Sequence, residues 1–240
     1  MNDLAHAVAE RIFQERPGSS RARPLLVALS GIDASGKSTL ARAVEENLSF
    51  RGFRVALIAA DTWHHPASVR FSDTDPARHF YRHAFRFEEM FRRLVTPLAA
   101  TGSVTLTASL TSPAVDVPFA HTYWFRDVDI VLLEGIFLFR RELREQYDLS
   151  FWLDCSFATA LDRVVSRNQE RQSLERLLAD YQRIYFPAQH LHLAADWPRF
   201  FADVLLPNEQ EHTPALTFSL RTAAHPPAPR RGRHGFEHSL

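Results

Sequence analysis

The chain of 240 residues contains very little cysteine and lacks any long apolar run. Cys155 is its only cysteine, so no internal disulfide can form, and a small secreted scaffold held together by disulfides is excluded. No apolar stretch approaches the roughly 18–20 residues that a membrane-spanning helix needs. Residues 1–16 mix charged with apolar positions and lack the apolar core of a signal peptide. These absences predict a soluble, cytoplasmic protein without a membrane partner.

Net charge is also missing, because 28 basic side chains balance 28 acidic ones. A protein that coats nucleic acid needs a concentrated positive face, so no nucleic-acid partner is expected. The 45% hydrophobic content and the 19 phenylalanines suffice for one large core. We therefore expect an N-terminal helix and linker over 1–23, one domain over 24–212 and a disordered, proline-rich tail over 213–240. Nothing in the sequence indicates the oligomeric state.

Short apolar segments alternate with segments of helical periodicity along the predicted domain. Because most of these segments are apolar throughout, they are typical of a parallel sheet covered by helices on both faces. The β-branched residues and prolines between 103 and 119 predict a strand pair that protrudes from this sheet. The predicted sheet strands are Leu25 to Leu29, Arg54 to Ala60, Val128 to Leu133, Leu149 to Leu153 and Ala202 to Leu206.

The first predicted strand leads into a complete G-x-x-x-x-G-K-[ST] motif, from Gly31 to Ser38, and a helix follows. Glycines let the loop turn its N–H groups toward an anion, and the helix adds its positive N-terminal end. Lys37 is then expected to reach the β- and γ-phosphates of a nucleotide, and Ser38 to ligate Mg²⁺. The predicted nucleotide-binding residues are Gly31, Ala34, Ser35, Gly36, Lys37, Ser38 and Thr39.

Lys37 is the only lysine in the chain, and arginine fills every other basic position. The compact ammonium group of lysine and the forked guanidinium group of arginine are not interchangeable inside a phosphate-binding loop. A GTPase reads guanine with an Asn-Lys-x-Asp motif, which requires a second lysine, so that class is excluded. A protein kinase is excluded because its His-Arg-Asp catalytic loop is absent. An ATPase or a small-molecule kinase remains.

Two acidic residues follow predicted strands directly. Asp61 comes after the second strand, and Glu134 comes after the third. In an open parallel sheet, ligands bind beyond the carboxyl ends of the strands, so both carboxylates are expected near the γ-phosphate. One can accept a proton from a hydroxyl group, and the other can hold Mg²⁺ through water. The sequence does not decide which of the two is the base; Ser38 and Glu134 are the expected metal residues.

Three arginines, Arg163, Arg167 and Arg171, recur every fourth residue and therefore share one face of a predicted helix. Such a face can close over a triphosphate and stabilise the charge that develops during phosphoryl transfer. A solvated surface helix explains the same spacing. Both interpretations stay open, with Arg163 and Arg167 as candidate catalytic residues.

With these motifs, the chain resembles the uridine kinase-like family of P-loop kinases, which includes phosphoribulokinase and bacterial pantothenate kinase. The resemblance rests on the phosphate-binding loop, on Asp61, on the segment from Asp129 to Phe137 and on the closing strand from Ala202 to Pro207. It implies an α/β fold of the P-loop NTPase type with a five-stranded parallel sheet and a helical lid. It also implies ATP with Mg²⁺, transfer of the γ-phosphate to a hydroxyl group, and Asp61 as the base.

The region expected to bind the acceptor departs from the uridine kinase pattern, because the stretch 79–85 lacks the acid that reads the nucleoside sugar. The predicted acceptor is a nucleoside such as uridine or cytidine, or a similar metabolite. A non-nucleoside acceptor such as pantothenate or a sugar phosphate stays open. So does a nucleotide-binding regulatory module with little kinase activity. The candidate acceptor contacts are Tyr81, Arg82, His83, Asp116 and His121.

Overall fold

The computed structural model describes residues 2–15, 23–111, 116–167 and 173–209. Its centre is a five-stranded sheet in the order β2-β5-β1-β6-β7, in which every neighbouring pair is parallel. The strands are β1 (Leu25–Gly31), β2 (Val55–Ala59), β5 (Ile130–Glu134), β6 (Leu149–Asp154) and β7 (Val204–Pro207), and β3 (Val104–Thr111) and β4 (Pro118–Phe125) form a separate antiparallel pair. The predicted fold class is thereby confirmed, including the hairpin.

Helices connect the strands and cover both faces of the sheet. Two of the helical stretches contain a π-helical turn, at Phe91–Val95 and at Tyr181–Tyr185, and a 3₁₀ turn follows β2 at Ala60–Trp63. None of the helices in the described ranges is long and apolar enough to cross a membrane. The α-helices are α1 (Asn2–Glu15), α2 (Lys37–Phe50), α3 (Ala67–Arg70), α4 (Pro76–His83), α5 (Phe87–Met90), α6 (Thr96–Thr101), α7 (Phe157–Arg167), α8 (Leu174–Asp180), α9 (Phe186–Asp196) and α10 (Pro198–Phe201).

Strand β1 divides the interior into two cores, because successive side chains of a strand point to opposite faces. Leu25, Val27 and Leu29 pack with α1 and α2 on one face. Leu26 and Ala28 pack on the other face with the stretch from α5 to α6, the hairpin and α9. Both faces of the central strands are therefore buried, which explains why the strands read as continuous apolar runs.

The second core is larger and more aromatic than the first. It includes Trp63, Phe85, Phe137 and Trp152, all of them buried. The hairpin packs on it through Ala108, Leu110 and Tyr123, and the Tyr123 hydroxyl accepts a hydrogen bond from the Trp63 indole at 3.1 Å. This attachment holds the hairpin against the segment that follows β2. The prediction placed the strand pair at 103–119, whereas β4 continues to Phe125 because its partner residues in β3 extend back to Val104.

The parallel arrangement brings the ends of three strands together. In the sheet register, Ala59 of β2 and Leu29 of β1 both lie opposite Glu134 of β5. The residues that follow β1, β2 and β5 therefore meet at one edge of the sheet, where α2 also begins. Ligand sites of open parallel sheets form at this edge.

Candidate active site

The phosphate-binding loop joins β1 to α2 and depends on two of its glycines. A Cβ atom on Gly31 would lie 2.4 Å from the carbonyl oxygen of Leu153, so a larger residue would displace backbone. Gly36 has a φ of 99°, a left-handed conformation that residues with side chains rarely adopt. Both constraints lie in the motif, and together they shape the loop that ends at the N-terminus of α2.

Lys37, the only lysine, is buried at the first position of α2. Its ammonium group donates a hydrogen bond of 2.8 Å to the carbonyl oxygen of Ile32 on the opposite side of the loop. The ammonium group therefore bridges the loop, where a phosphate group can reach it. An arginine at this buried position would have to fit a longer, planar group into the same space.

Ser38 and Glu134 are in direct contact, because the Ser38 hydroxyl donates to Oε1 of Glu134 at 3.0 Å. The second carboxylate oxygen of Glu134, Oε2, is buried without a hydrogen-bond partner among the described residues. Burial raises the pKa of Glu134, while the nearby Lys37 and Ser38 oppose that shift. A serine hydroxyl and an unsatisfied carboxylate oxygen are the hard donors that Mg²⁺ takes in phosphate sites, so these residues fit the expected metal.

Asp61 lies in the 3₁₀ turn after β2, next to Glu134 across the sheet edge. A close approach of the two chain segments makes this possible, because a Cβ atom on Gly135 would lie 2.7 Å from the Cβ atom of Ala60. The absence of a side chain at Gly135 thus lets the turn that carries Asp61 pack against the end of β5. The sequence gives no sign of this requirement, because nothing around Gly135 indicates which residue it faces.

The Asp61 carboxylate is in an environment that favours its protonated form. Its Oδ1 atom is buried without a hydrogen-bond partner among the described residues. Burial raises the pKa of Asp61 to about 7, with a further contribution from the negative charge of Glu134, while Lys37 acts in the opposite direction. A carboxyl group with a pKa near neutrality is well matched to proton transfer at physiological pH.

Lys37, Ser38 and Asp61 face one open cavity of about 500 Å³, a size typical of small-molecule sites. Its nucleotide end is formed by Asp33, Ala34, Gly36, Lys37, Ser38, Thr39 and Arg42. The remaining wall is formed by Asp61, His64, Arg70, Phe71, Phe80, Ile136, Val164, Arg167, Leu177, Tyr181, Tyr185 and Gln189. Of these twelve wall residues, Asp61 and Arg167 were predicted as site residues and the other ten were not.

The two arginines that share a face of α7 have different surroundings. Arg167 lines the cavity. Arg163 instead donates to the backbone carbonyls of Ser35, at 3.1 Å, and Asn208, at 2.7 Å. Arg163 therefore holds the outside of the phosphate-binding loop to the end of β7. The third arginine of the predicted face, Arg171, lies outside the described residues.

A second attachment ties the loop to the helical stretch from α8 to α9. The backbone N–H of Asp33 donates to the Gln189 side chain at 2.6 Å, and the Asp33 carboxylate accepts from the Tyr181 hydroxyl. Tyr181 lies on the π-helical turn within this stretch. Asp33 thus links the loop to the cavity wall. It also stabilises the turn itself, because its carboxylate accepts a hydrogen bond from the backbone N–H of Ala34.

The predicted acceptor contacts lie mostly away from this cavity. The Tyr81 hydroxyl bonds Asp196, and the Arg140 guanidinium group stacks on the Tyr81 ring at 4.5 Å. Arg82 and His83 are exposed on α4. His121 is exposed on β4, where its ring contacts Tyr123. The helical and strand periods place these side chains on faces that point elsewhere.

Asp116 is the exception among the predicted acceptor contacts, because it reaches the cavity through another residue. Its carboxylate forms an ion pair of 3.1 Å with Arg70, which lines the cavity, and accepts the backbone N–H of Ala67 at 2.9 Å. Arg70 was not identified from the sequence. No motif surrounds it, and its place in the cavity wall depends on how the segment after β2 folds back.

Comparisons with known proteins found similarity to kinases. The family model for adenylylsulphate kinase matches residues 23–116, which include the phosphate-binding loop and Asp61. Uridine-cytidine kinase B of Dictyostelium discoideum is 26% identical over 210 residues, covering 85% of this chain and 83% of the relative. The uridine kinase of Streptococcus gordonii is 22% identical over 198 residues, covering 81% of this chain and 91% of the relative.

Solved structures share the fold at low sequence identity. A possible uridine kinase from Bacillus stearothermophilus superposes with a TM-score of 0.66 at 22% identity, covering 85% of this chain and 97% of the other. A candidate fructose transport system kinase from Silicibacter sp. TM1040 reaches a TM-score of 0.69, also at 22% identity, covering 84% of this chain and 98% of the other.

The fold and the phosphate-binding loop are those of P-loop kinases, and the sequence relatives found are kinases. Within that class, the resemblance to the uridine kinase-like family, expected from the sequence, is confirmed by the relatives and by the shared fold.

Proposed function

We propose that this protein is an ATP- and Mg²⁺-dependent kinase that transfers the γ-phosphoryl group to a hydroxyl group of a nucleoside or a similar small metabolite. The observation that carries the proposal is that Asp61, Lys37 and Ser38 line one cavity, while Glu134 bonds Ser38 and interacts with Asp61. The names of the sequence relatives, which are uridine and uridine-cytidine kinases, support a nucleoside as the first acceptor class to test.

In this proposal the nucleotide end binds the phosphates of ATP. The loop supplies backbone N–H groups, and Lys37 supplies a positive charge. The residues that donate these N–H groups, or that give the loop the shape in which they point at the phosphates, are Gly31, Ala34, Ser35, Gly36 and Thr39. Ser38 and Glu134 would hold Mg²⁺, which when bound would neutralise the negative charge that develops on the phosphate oxygens. Because Lys37 bonds the Ile32 carbonyl, its ammonium group is already held in the loop before a phosphate group arrives.

Asp61 acts as the general base. It accepts the proton of the acceptor hydroxyl while the hydroxyl oxygen bonds to the γ-phosphorus, and the bond between that phosphorus and the oxygen bridging to the β-phosphate breaks to release ADP. Glu134 is less suited to this task, because Oε1 is occupied by the Ser38 hydroxyl. In this proposal the two carboxylates divide the work, with Asp61 assigned to proton transfer and Glu134 to metal binding.

Arg167 stabilises the transferring phosphoryl group from the wall of the cavity, while Arg163 supports the loop from outside. These are different contributions, so the two arginines of one helix face do not act as a single lid surface. Tyr181 and Gln189 continue the wall on the neighbouring helical stretch and fix it to Asp33.

A coupled assay of ADP release against a panel of hydroxyl compounds tests the proposal. We expect turnover that depends on an acceptor and falls by at least about 10²-fold in Asp61→Asn, the lower range for loss of a general base. Asp73→Asn is the matched control, because Asp73 is an exposed carboxylate that does not line the cavity. Turnover that is indifferent to Asp61 would remove the role assigned to it.

The alternative is a nucleotide-binding regulatory module with little kinase activity. It predicts that ATP binds with Mg²⁺ but that no compound in the panel releases ADP faster than water alone. Finding one acceptor with efficient, Asp61-dependent turnover would eliminate this alternative.

A further inference from the structure

We propose that the acceptor carries an anionic group, a carboxylate or a phosphate, in addition to the hydroxyl that is phosphorylated, and that Arg70 binds this group. The inference rests on the proposed kinase function and narrows its substrate class. Arg70 suggests this inference, because a negative charge on the ligand can balance a buried positive charge in the wall of a substrate cavity.

Arg70 ends α3 and is only 7% exposed, yet it lines the same cavity as Lys37 and Asp61. A guanidinium group has five N–H donors. Among the described residues, its polar partners are the His65 carbonyl, at a long 3.4 Å, and Asp116, at 3.1 Å. Donors therefore remain for a ligand, and a planar fork of this kind matches a carboxylate or phosphate in two-point contact.

The surroundings of Arg70 fix its position. Its guanidinium group lies 5.1 Å from the centre of the Phe71 ring, and Asp116 is itself anchored by the N–H of Ala67. Asp116 is more exposed than Arg70, with 34% of its side chain accessible against 9%. The pair thus has its carboxylate on the outer side and its more buried cation in the cavity wall. Asp116 then serves as a positioning residue for Arg70.

The cavity wall beyond the loop carries the acidic residue Asp61 and the two cations Arg70 and Arg167. Arg167 is assigned to the transferring phosphoryl group, which leaves Arg70 for a charge on the acceptor. His64, between Asp61 and Arg70 in the sequence, stays neutral, because burial and the cations Arg70 and Arg86 lower its pKa to about 3. An acceptor with a hydroxyl at one end and an anion at the other is oriented by these charges, with the hydroxyl toward Asp61.

The wall near Arg70 is otherwise aromatic and apolar. Phe71 stacks on Phe80 with ring centres 5.7 Å apart, and the ring of Tyr185 packs on Phe80 at 5.1 Å. A ligand group enclosed by these rings loses water, which strengthens its attraction to a fixed cation. A neutral nucleoside gives Arg70 no charge to bind, so a charged acceptor uses this wall better.

Calorimetry on protein saturated with a non-hydrolysable ATP analogue and Mg²⁺ tests the inference, because the phosphate-binding loop is then occupied. The probes are matched pairs that share a hydroxyl and differ in charge: glycerol and glycerate, pantothenol and pantothenate, fructose and fructose 1-phosphate, uridine and uridine 3′-phosphate. We expect at least one anionic member to bind about 10-fold or more tightly than its neutral partner, as a charge-assisted hydrogen bond allows.

Variants then assign the preference to Arg70. Arg70→Gln should abolish it, Arg70→Lys should keep part of it, and Arg92→Gln, which removes an exposed arginine outside the cavity, should leave it intact. Thermal midpoints check folding, and Arg70→Lys gives the answer if Arg70→Gln does not fold. If Arg70 is only structural, its replacement will change the affinities for neutral and anionic ligands equally, and the ratio of these affinities will stay the same. That result would overturn the inference.

The remaining outcomes separate the inference from the proposed function. Efficient phosphorylation of uridine, with no gain from an anionic group, would overturn the inference and leave the kinase proposal standing. Selective binding of an anionic compound, lost in Arg70→Gln but without ADP release, would support the anion site and refute the kinase. If no anionic compound binds at millimolar concentration, the inference fails.

Discussion

The nucleotide end and the acceptor end of the cavity are built in different ways. The nucleotide end consists of one continuous loop of eight residues and the helix that follows it, with Lys37 held across the loop by the Ile32 carbonyl. The acceptor end is assembled from α3, α4, the end of β5 and the helical stretch from α8 to α9. Local sequence specifies the first, and long-range packing specifies the second.

This difference follows from what each ligand offers. All nucleoside triphosphates present the same phosphate chain, which backbone N–H groups and one lysine can bind in any protein that forms the loop. Acceptors differ in shape and charge, and side chains from distant segments must converge on them. We therefore expect substitutions at the nucleotide end to act on every acceptor alike, and substitutions at the acceptor end to change the ranking among acceptors.

The largest expected effect that tests this contrast is at Lys37. Lys37→Ala should lower kcat/KM by about 10²–10³-fold for every acceptor, because one preorganised charge on the phosphates is lost. Lys37→Arg should not restore activity, since the guanidinium group does not fit the loop. Steady-state kinetics measure both changes. In the native protein, an amine-selective reagent labels only Lys37 and the N-terminal amine, and ATP should protect Lys37; labelling unaffected by ATP would contradict its position in the site.

A smaller effect distinguishes the two arginines of α7. Arg163→Gln should weaken ATP binding about 10-fold, because the charge-assisted bonds to the loop carbonyls are removed. Arg167→Gln should leave the Kd of ATP nearly unchanged and lower kcat by a similar factor, because Arg167 faces the cavity. Calorimetry gives the first quantity and saturation kinetics give the second. Identical changes in both variants would show that the helix face acts as one unit.

The pH dependence tests the coupling of the two carboxylates. Asp61 acts as a base only when ionised, and burial raises its pKa to about 7, so kcat/KM should fall as the pH decreases through 7. In Glu134→Gln the neighbouring negative charge is gone, which lowers the pKa of Asp61 and moves the residual profile to lower pH. Asp73→Asn should keep the native profile. A Glu134→Gln profile that moves to higher pH would contradict the coupling.

The smallest effect on activity is expected at Tyr81, a predicted acceptor contact that lies outside the cavity. Tyr81→Phe removes the hydroxyl that bonds Asp196, a carboxylate that also accepts a hydrogen bond from His192. We expect a loss of about 1 kcal/mol in the free energy of unfolding, typical of one hydrogen bond, and kinetic constants within about twofold of the native values. Denaturant unfolding and acceptor kinetics measure these. A large, acceptor-specific change in KM would bring Tyr81 back to the site.

The fold was predictable to a large extent because its strands are short, apolar and separated by helices. Each of the five predicted sheet strands overlaps an observed one, and the boundaries differ by only a few residues. The helical stretch that begins with α8 runs through a π-helical turn into α9 and ends at Asp196, and Pro187 lies in the first turn of α9.

The candidate site was predictable only where chemistry follows chain order. Asp61 and Glu134 were identified because each directly follows an apolar strand, a signal that needs no knowledge of packing. Arg70 carries no such signal: it lies in a short helix, and only its ion pair with Asp116 and its burial show that it faces the cavity. Tyr81, Arg82 and His83 were named for their place in the chain, and α4 directs them elsewhere.

The sequence by itself determined the phosphate-binding loop and the parallel sheet, because both depend on residues that are adjacent in the chain. It also excluded guanine-reading proteins, because the chain contains a single lysine. The tertiary structure decided which side chains share the cavity. Gly135 permits the turn with Asp61 to approach Glu134, and the hairpin residue Asp116 fixes Arg70. The physical reason is that cavity walls form by contacts between segments far apart in sequence, and no local pattern encodes such contacts.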